Sequence, residues 1–277
     1  MNRKELCAEE KLLSYSKYYY LDMEPINPLS QQILDSGPIP VEKALDIYNR
    51  DDLLKPGYLP CECGYCVMPD GSGFMAHYVY MPNVTVEMLD WWFCWHFITP
   101  PSVPEGNGNL RYKLWNPPCH WDTGFTSKRD IDFTCDSSLP MSLRHSTTHA
   151  HIVESMLPGQ PLEDMYCYAL PLDEFGFNSD LMKNREWGSI AGAISESGAC
   201  VTVHYYRQHP TCGIEVRSRY WMGYTMENGK PKRVEGVNIT DDDLVPLLYH
   251  NMMEYPHLAK FLPDLYREEH DKPLDVY

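Results

Sequence analysis

A histidine and a glutamate, His250 and Glu254, stand four residues apart in "DDDLVPLLYHNMMEYPHLAKFLPDLY". At helical spacing both side chains leave one face, one turn apart, so a single ion could touch both. The same spacing arises by chance on any solvated helix face, and it does not separate the two readings. Leu247, Leu248, Met252 and Met253 cluster around the pair, with Tyr249 and Leu258, which places it close to the face that should pack. A carboxylate and an imidazole turned into a cavity are costly to desolvate unless paired or bound to a metal.

Two further segments offer partners. "NPPCHWDTGF" holds His120 in a proline-stiffened turn beside Trp121 and Asp122, a place suited to a fixed ligand. "HAHIVES" reads as a strand, so Ala150, Ile152 and Glu154 share one face and His149, His151 and Val153 the other. With the apolar face inward, Glu154 points to the cavity and the two histidines point to solvent. Cys61, Cys63 and Cys66 in "PCECGYC" resemble part of a zinc knuckle. No second ligand pair follows at matching spacing, so they read as packing or loop thiols. His204 on its own reads as a hydrogen-bonded core histidine. His209 and His257 read as surface or loop residues.

The elements that must position these residues follow from pattern. "GYCVMPDGSGFMAHYVYMP" is a hairpin around a "PDGSG" turn, and a helix capped by Thr85 follows in "NVTVEMLDWWFCWHFIT", aromatic nearly all round. The second half alternates strands with turns: "HAHIVESML", "DMYCYALPL", "SIAGAISESG", "ACVTVHYYRQ" and "IEVRSRYWMGYTM", with "ENGK" closing a hairpin at Asn228-Gly229. A long helix from about Asp241 to Glu269 comes last. Thr240 and three aspartates mark its start, and Pro256 and Pro263 are expected to interrupt or kink it. A curved antiparallel sheet closed by such a helix is a helix-grip arrangement, α+β in class, with a deep cavity between sheet and helix. Residues 1–60 read as a separate mainly helical region, with helices in "EEKLLSYSKYYYLD" and "VEKALDIYNRDDLL" around a spacer, "EPINPLSQQILDSGPIP". That leaves 61–277 as the main domain.

Composition sets limits on the rest. With 43% hydrophobic residues, the 277-residue chain can bury a substantial core. A net charge of -16 argues against nucleic acid and anionic membranes as partners. Twenty tyrosines and seven tryptophans suit a greasy cavity that still offers hydroxyls. "MNRKELCAEEKLLSY" lacks the apolar stretch of a secretory leader, and "MLDWWFCWHFI" is too short to span a bilayer. Ten cysteines without such a leader read as reduced thiols in a cytoplasmic protein.

In order along the chain, "RYKLWNPPCHWD", "HIVES", "VTVHYYRQHP", "RSRYWMGY" and "YHNMMEYPHL" are similar to the diacetylphloroglucinol hydrolase and phloretin hydrolase family, over about residues 60–270. The resemblance implies a zinc-dependent hydrolase that cleaves the C–C bond between a phloroglucinol ring and its acyl group. It also implies a Bet v 1-like helix-grip domain and a smaller N-terminal region used for homodimerisation. Carried onto this sequence, the zinc ligands would be His120, Glu154, His250 and Glu254. Tyr112 and Tyr220 would contact the substrate, and His204 would transfer protons. The family's substrate-binding asparagine just after the first histidine has no counterpart here, where Asp122 and Thr123 stand.

The implied chemistry is self-consistent. An acylphloroglucinol ring accepts a proton at the acyl-bearing carbon, and the C–C bond breaks once water adds to the side-chain carbonyl. Zinc would polarise the carbonyl or acidify water, and an imidazole with a pKa near 6.5 suits proton transfer. Phloretin is the first substrate expected, giving phloroglucinol and 3-(4-hydroxyphenyl)propionate. Diacetylphloroglucinol is the alternative. A helix-grip carrier that binds a polyphenol without transforming it is a different reading, and a purely structural metal a third.

Overall fold

The computed structural model describes residues 3–183, 188–196 and 199–274. The first 60 residues form short pieces: α1 (Ala8–Leu12), α2 (Pro28–Asp35), and 3-10 turns at Ser16–Tyr20, Val41–Lys43 and Ile47–Leu54. The two expected N-terminal helices are thus mostly tight 3-10 turns, because segments this short do not sustain an α-helix by themselves. The presumed spacer contains α2, whose start is well specified. Pro28 takes the first turn, and the Asn27 side chain accepts the Ser30 N–H.

The hairpin of β1 (Gly64–Val67) and β2 (Gly73–Met81) follows. In α3 (Val86–Trp95), Thr85 accepts the Met88 N–H at 3.2 Å. Trp91, Trp92 and Trp95 are all buried there, as the all-round aromatic pattern requires. Next come α4 (Leu110–Lys113), β3 (His120–Phe125), α5 (Lys128–Cys135) and α6 (Met141–Arg144). The strands β4 (His149–Glu154), β5 (Glu163–Ala169), β6 (Gly188–Ser195), β7 (Cys200–Gln208) and β8 (Ile214–Met222) complete the sheet. Gly223, at φ 91°, splits the last expected strand into β8 and β9 (Tyr224–Glu227), which pairs with β10 (Lys230–Arg233) around Asn228-Gly229.

Eight strands form one antiparallel sheet in the order β1-β2-β8-β7-β6-β5-β4-β3, a meander from β3 to β8 with the first hairpin added beside β8. One face is covered by α7 (Asp241–Glu269), which packs on β1, β2 and α3. Side chains of α7 also meet His120 at the opposite edge, so the sheet curls until both edges approach one helix. The helix runs unbroken through Pro246, Pro256 and Pro263, and burial of its apolar stripe outweighs the lost hydrogen bonds. His257, expected at the surface, is buried on this helix against Phe261, one turn on. Tyr15, Tyr18 and Tyr19 share a core with α3 and the later turns of α7.

The other face is covered too. Leu45, Ile47, Leu53 and Leu54 pack on Phe74, Val201, Val203 and Trp221. Among them lie charged side chains: Arg217 and Arg219 both grip Glu62, and Arg207 pairs with Glu215. Among the described residues no helix is long and apolar enough to cross a membrane.

Candidate metal centre

His250 and Glu254 occupy the buried side of α7, and their ring nitrogen and carboxylate lie 3.6 Å apart. His120 opens β3 after a tight turn in which Cys119 and His120 both donate to the Asn116 carbonyl. It therefore begins a strand, where sequence suggested a turn residue. Glu154 ends β4 directly opposite His120 in the ladder. The inward parity of Ala150 and Glu154 holds, while His149 and His151 turn outward to Glu196 and Asp122.

These four side chains converge. His120 Nε2 lies 2.9 Å from His250 Nε2, 3.2 Å from Glu154 Oε2 and 3.4 Å from Glu254 Oε2. His250 Nε2 lies 3.8 Å from Glu154 Oε2. A four-coordinate ion with bonds of about 2.0–2.1 Å needs ligand atoms roughly 3.3 Å apart, and the observed separations bracket that value.

The tautomers agree with this fit. His120 Nδ1–H donates to the Tyr112 carbonyl at 3.2 Å, and His250 Nδ1–H to the Met156 carbonyl at 3.1 Å. A carbonyl only accepts, so each Nδ1 carries its proton and each Nε2 turns to the centre. Two lone pairs would then face one another beside two carboxylates, an arrangement that only a proton or a cation relieves. Burial disfavours charge on His250, yet Glu154 and its other neighbours hold the imidazole well above its ordinary pKa. Burial likewise raises the Glu254 carboxyl, but the two imidazoles beside it, when protonated, bring it down to about 2. The donor set of two imidazoles and two carboxylates fits a divalent metal. Among the described residues, His120, Glu154 and His250 form a group whose ligand atoms all lie within 4.8 Å of one another; Glu254 meets both histidines from outside that group. The ten cysteines are free, and among the described residues none belongs to this group.

Tyr112 supports two members at once. Its ring stacks on His120 at 3.9 Å and 6°, and its hydroxyl donates to Glu154. Burial and the adjacent Glu154 push its phenol well up, so it stays a donor. Tyr220 and His204 lie further along the inner face of the sheet, outside the four-ligand cluster. The Tyr220 hydroxyl donates to Asn251 Oδ1 at 3.2 Å, next to His250 in sequence. His204 is joined to the cluster through rings: Tyr255 lies 5.7 Å away, Trp115 5.3 Å beyond, and His120 5.5 Å beyond that. Burial lowers the His204 pKa to about 4 against a smaller opposing effect of Glu254, so the ring is neutral near pH 7.

Several residues here carried no signal in the sequence reading. Asn116, buried, brings its amide nitrogen within 3.5 Å of His250 Nε2. Ser218 and Tyr255 meet at His204. His77 is buried opposite Ser218 in the β2–β8 ladder, and its Nδ1 has no partner among the described residues. Strand parity could have placed His77 and Ser218 on the inner face; Asn116 depends on a turn that parity does not reach.

The cluster lies between the sheet and the closing helix of a mixed α/β fold, and comparison with known proteins places the chain among hydrolases. The chain belongs to the family of the DAPG hydrolase PhiG domain, whose sequence model matches residues 45–267. It is 34% identical over 270 residues to the phloretin hydrolase of Eubacterium ramulus, covering 95% of this chain and 93% of that one. It is 28% identical over 275 residues to a 2,4-diacetylphloroglucinol hydrolase of a Pseudomonas species, covering 92% and 87%.

Proposed function

We propose that this protein is a zinc-dependent hydrolase that removes the acyl group of an acylphloroglucinol by C–C cleavage, with phloretin as substrate. The observation that carries the reading is the convergence of two metal-ready Nε2 atoms and two carboxylates, in a chain 34% identical to a phloretin hydrolase. His120, Glu154, His250 and Glu254 would hold the zinc, which supplies Lewis acidity toward a carbonyl or water. Tyr112 and Tyr220 orient ring hydroxyls and donate to oxygen as negative charge develops. His204, neutral and with Nε2 free of protein partners among the described residues, moves the proton.

The remaining features fit this reading. The curled sheet gripping α7 is of the Bet v 1-like helix-grip kind, with 61–277 as the catalytic part. Residues 1–60 form the dimerisation region of a homodimer: Leu12, Leu29, Tyr48 and Tyr58 are exposed apolar side chains there, up to 86% for Leu12. Ten free cysteines accord with a reducing cytoplasm.

Zinc-loaded protein incubated with phloretin should release phloroglucinol and 3-(4-hydroxyphenyl)propionate, resolved by chromatography. Turnover of diacetylphloroglucinol but not phloretin would reassign the substrate. Binding of either without turnover, in protein lacking stoichiometric zinc, would make it a carrier.

A further inference from the structure

We infer that Ser218 and Tyr255 are positioning residues for His204: their hydroxyls converge on Nδ1 and leave Nε2 alone to meet the substrate. The inference rests on the proton-transfer role given to His204 above. Ser218 sits directly opposite His204 in the β7–β8 ladder, and its Oγ lies 2.8 Å from His204 Nδ1. Tyr255 reaches the same nitrogen from α7, with its Oη at 2.9 Å. Both residues are fully buried, whereas His204 retains partial exposure. Phe93 stacks on the imidazole at 5.8 Å and 15°, and Tyr220 meets it edge-on at 5.7 Å. The ring is thus clamped in plane and direction, with its free nitrogen away from the hydroxyls.

The kind of partner matters. A carboxylate at Nδ1 would fix a proton there and favour the charged imidazolium. A hydroxyl both donates and accepts, so it satisfies Nδ1 with or without a proton. Two hydroxyls beside a neutral ring therefore support both tautomers, Nε2 bare and Nε2 protonated. His204 can accept a proton in one step and donate it in another without an adjacent carboxylate. The two positions come from different elements, a strand and the closing helix.

The test is kinetics with phloretin on zinc-loaded Ser218→Ala, Tyr255→Phe and the double variant, with His204→Gln as reference. Zinc content and thermal midpoint are measured on each. If hydroxyls position the ring, kcat falls about tenfold for each single variant while KM stays within about twofold, a fraction of the ~10²–10⁴ carried by acid–base catalysis. The ¹⁵N resonances of His204 also move in both, reporting a changed tautomer balance. Loss of kcat in His204→Gln with wild-type kcat in Ser218→Ala and Tyr255→Phe overturns the inference and leaves the hydrolase reading intact. Full kcat in His204→Gln removes the catalytic role of that histidine, and the inference falls with it. Should Tyr255→Phe fold poorly, Ser218→Ala decides alone: unchanged kcat and unchanged ¹⁵N shifts overturn the proposal.

Discussion

Each histidine of the candidate centre is fixed twice, once by its carbonyl partner and once by its ring neighbours. His120 is held by the Tyr112 carbonyl and by the Tyr112 ring, so that residue acts on the centre without binding it. Replacing Glu154 or His250 by alanine should leave less than about a tenth of the zinc after dialysis and cut turnover by at least ~10³-fold, read by elemental analysis and phloretin assay. Tyr112→Phe keeps the stack and loses the hydroxyl; zinc should stay bound with about 10-fold weaker affinity. The pH response follows from His250. Its folded pKa is raised, so in metal-free protein its stabilising contribution is present below about 6.5 and lost as pH rises through the raised value. Zinc bound there, as proposed, would compete with that proton, so the thermal stabilisation by zinc should grow from pH 6 to pH 8. A stabilisation that shrinks over that range would contradict the assignment. Of these residues, the inward face of Glu154 was legible from strand parity; the spacing of His250 and Glu254 did not separate a ligand pair from a solvated face, and the set of four came from the family resemblance. The Nε2 convergence was not legible, because it depends on carbonyl partners supplied by backbone far away in sequence.

At the scale of elements, α7 was legible almost to the residue. Thr240 forms a capping box with Asp243, whose carboxylate accepts from the Thr240 N–H at 2.8 Å. Thr240→Ala should cost about 1 kcal/mol, measurable by urea unfolding. Of the interruption or kink expected at Pro256 and Pro263, the interruption does not occur, since tertiary packing carries the helix through both. The burial of His257 was missed for the same reason: it is packing that decides which side of a continuous helix is covered. The N-terminal turns were overread as helices because their apolar residues satisfy contacts with a core assembled later in the chain.

Taken whole, the molecule covers its sheet on both faces, and the outer layer is partly ionic. Arg217 and Arg219, both buried, share Glu62. Glu62→Ala strands two guanidinium groups and should destabilise the fold by about 3–5 kcal/mol, seen in denaturant midpoints, without altering zinc stoichiometry. Alternation in "IEVRSRYW" places those arginines on the outer face, but not the glutamate that receives them. Homodimerisation predicts twice the chain mass by light scattering, and Leu12→Lys with Leu29→Lys should reduce it to a single chain.

The placement of the four ligands also bears on how the protein is made. His120 precedes His250 by 130 residues, and half of the donor set arrives on α7. A chain still on the ribosome can pair β3 with β4 and bring His120 beside Glu154, yet it presents two of the four donors until α7 has emerged. Zinc held by these four residues, as proposed, would be captured only after the sheet has assembled, because half of the donors arrive with the last helix.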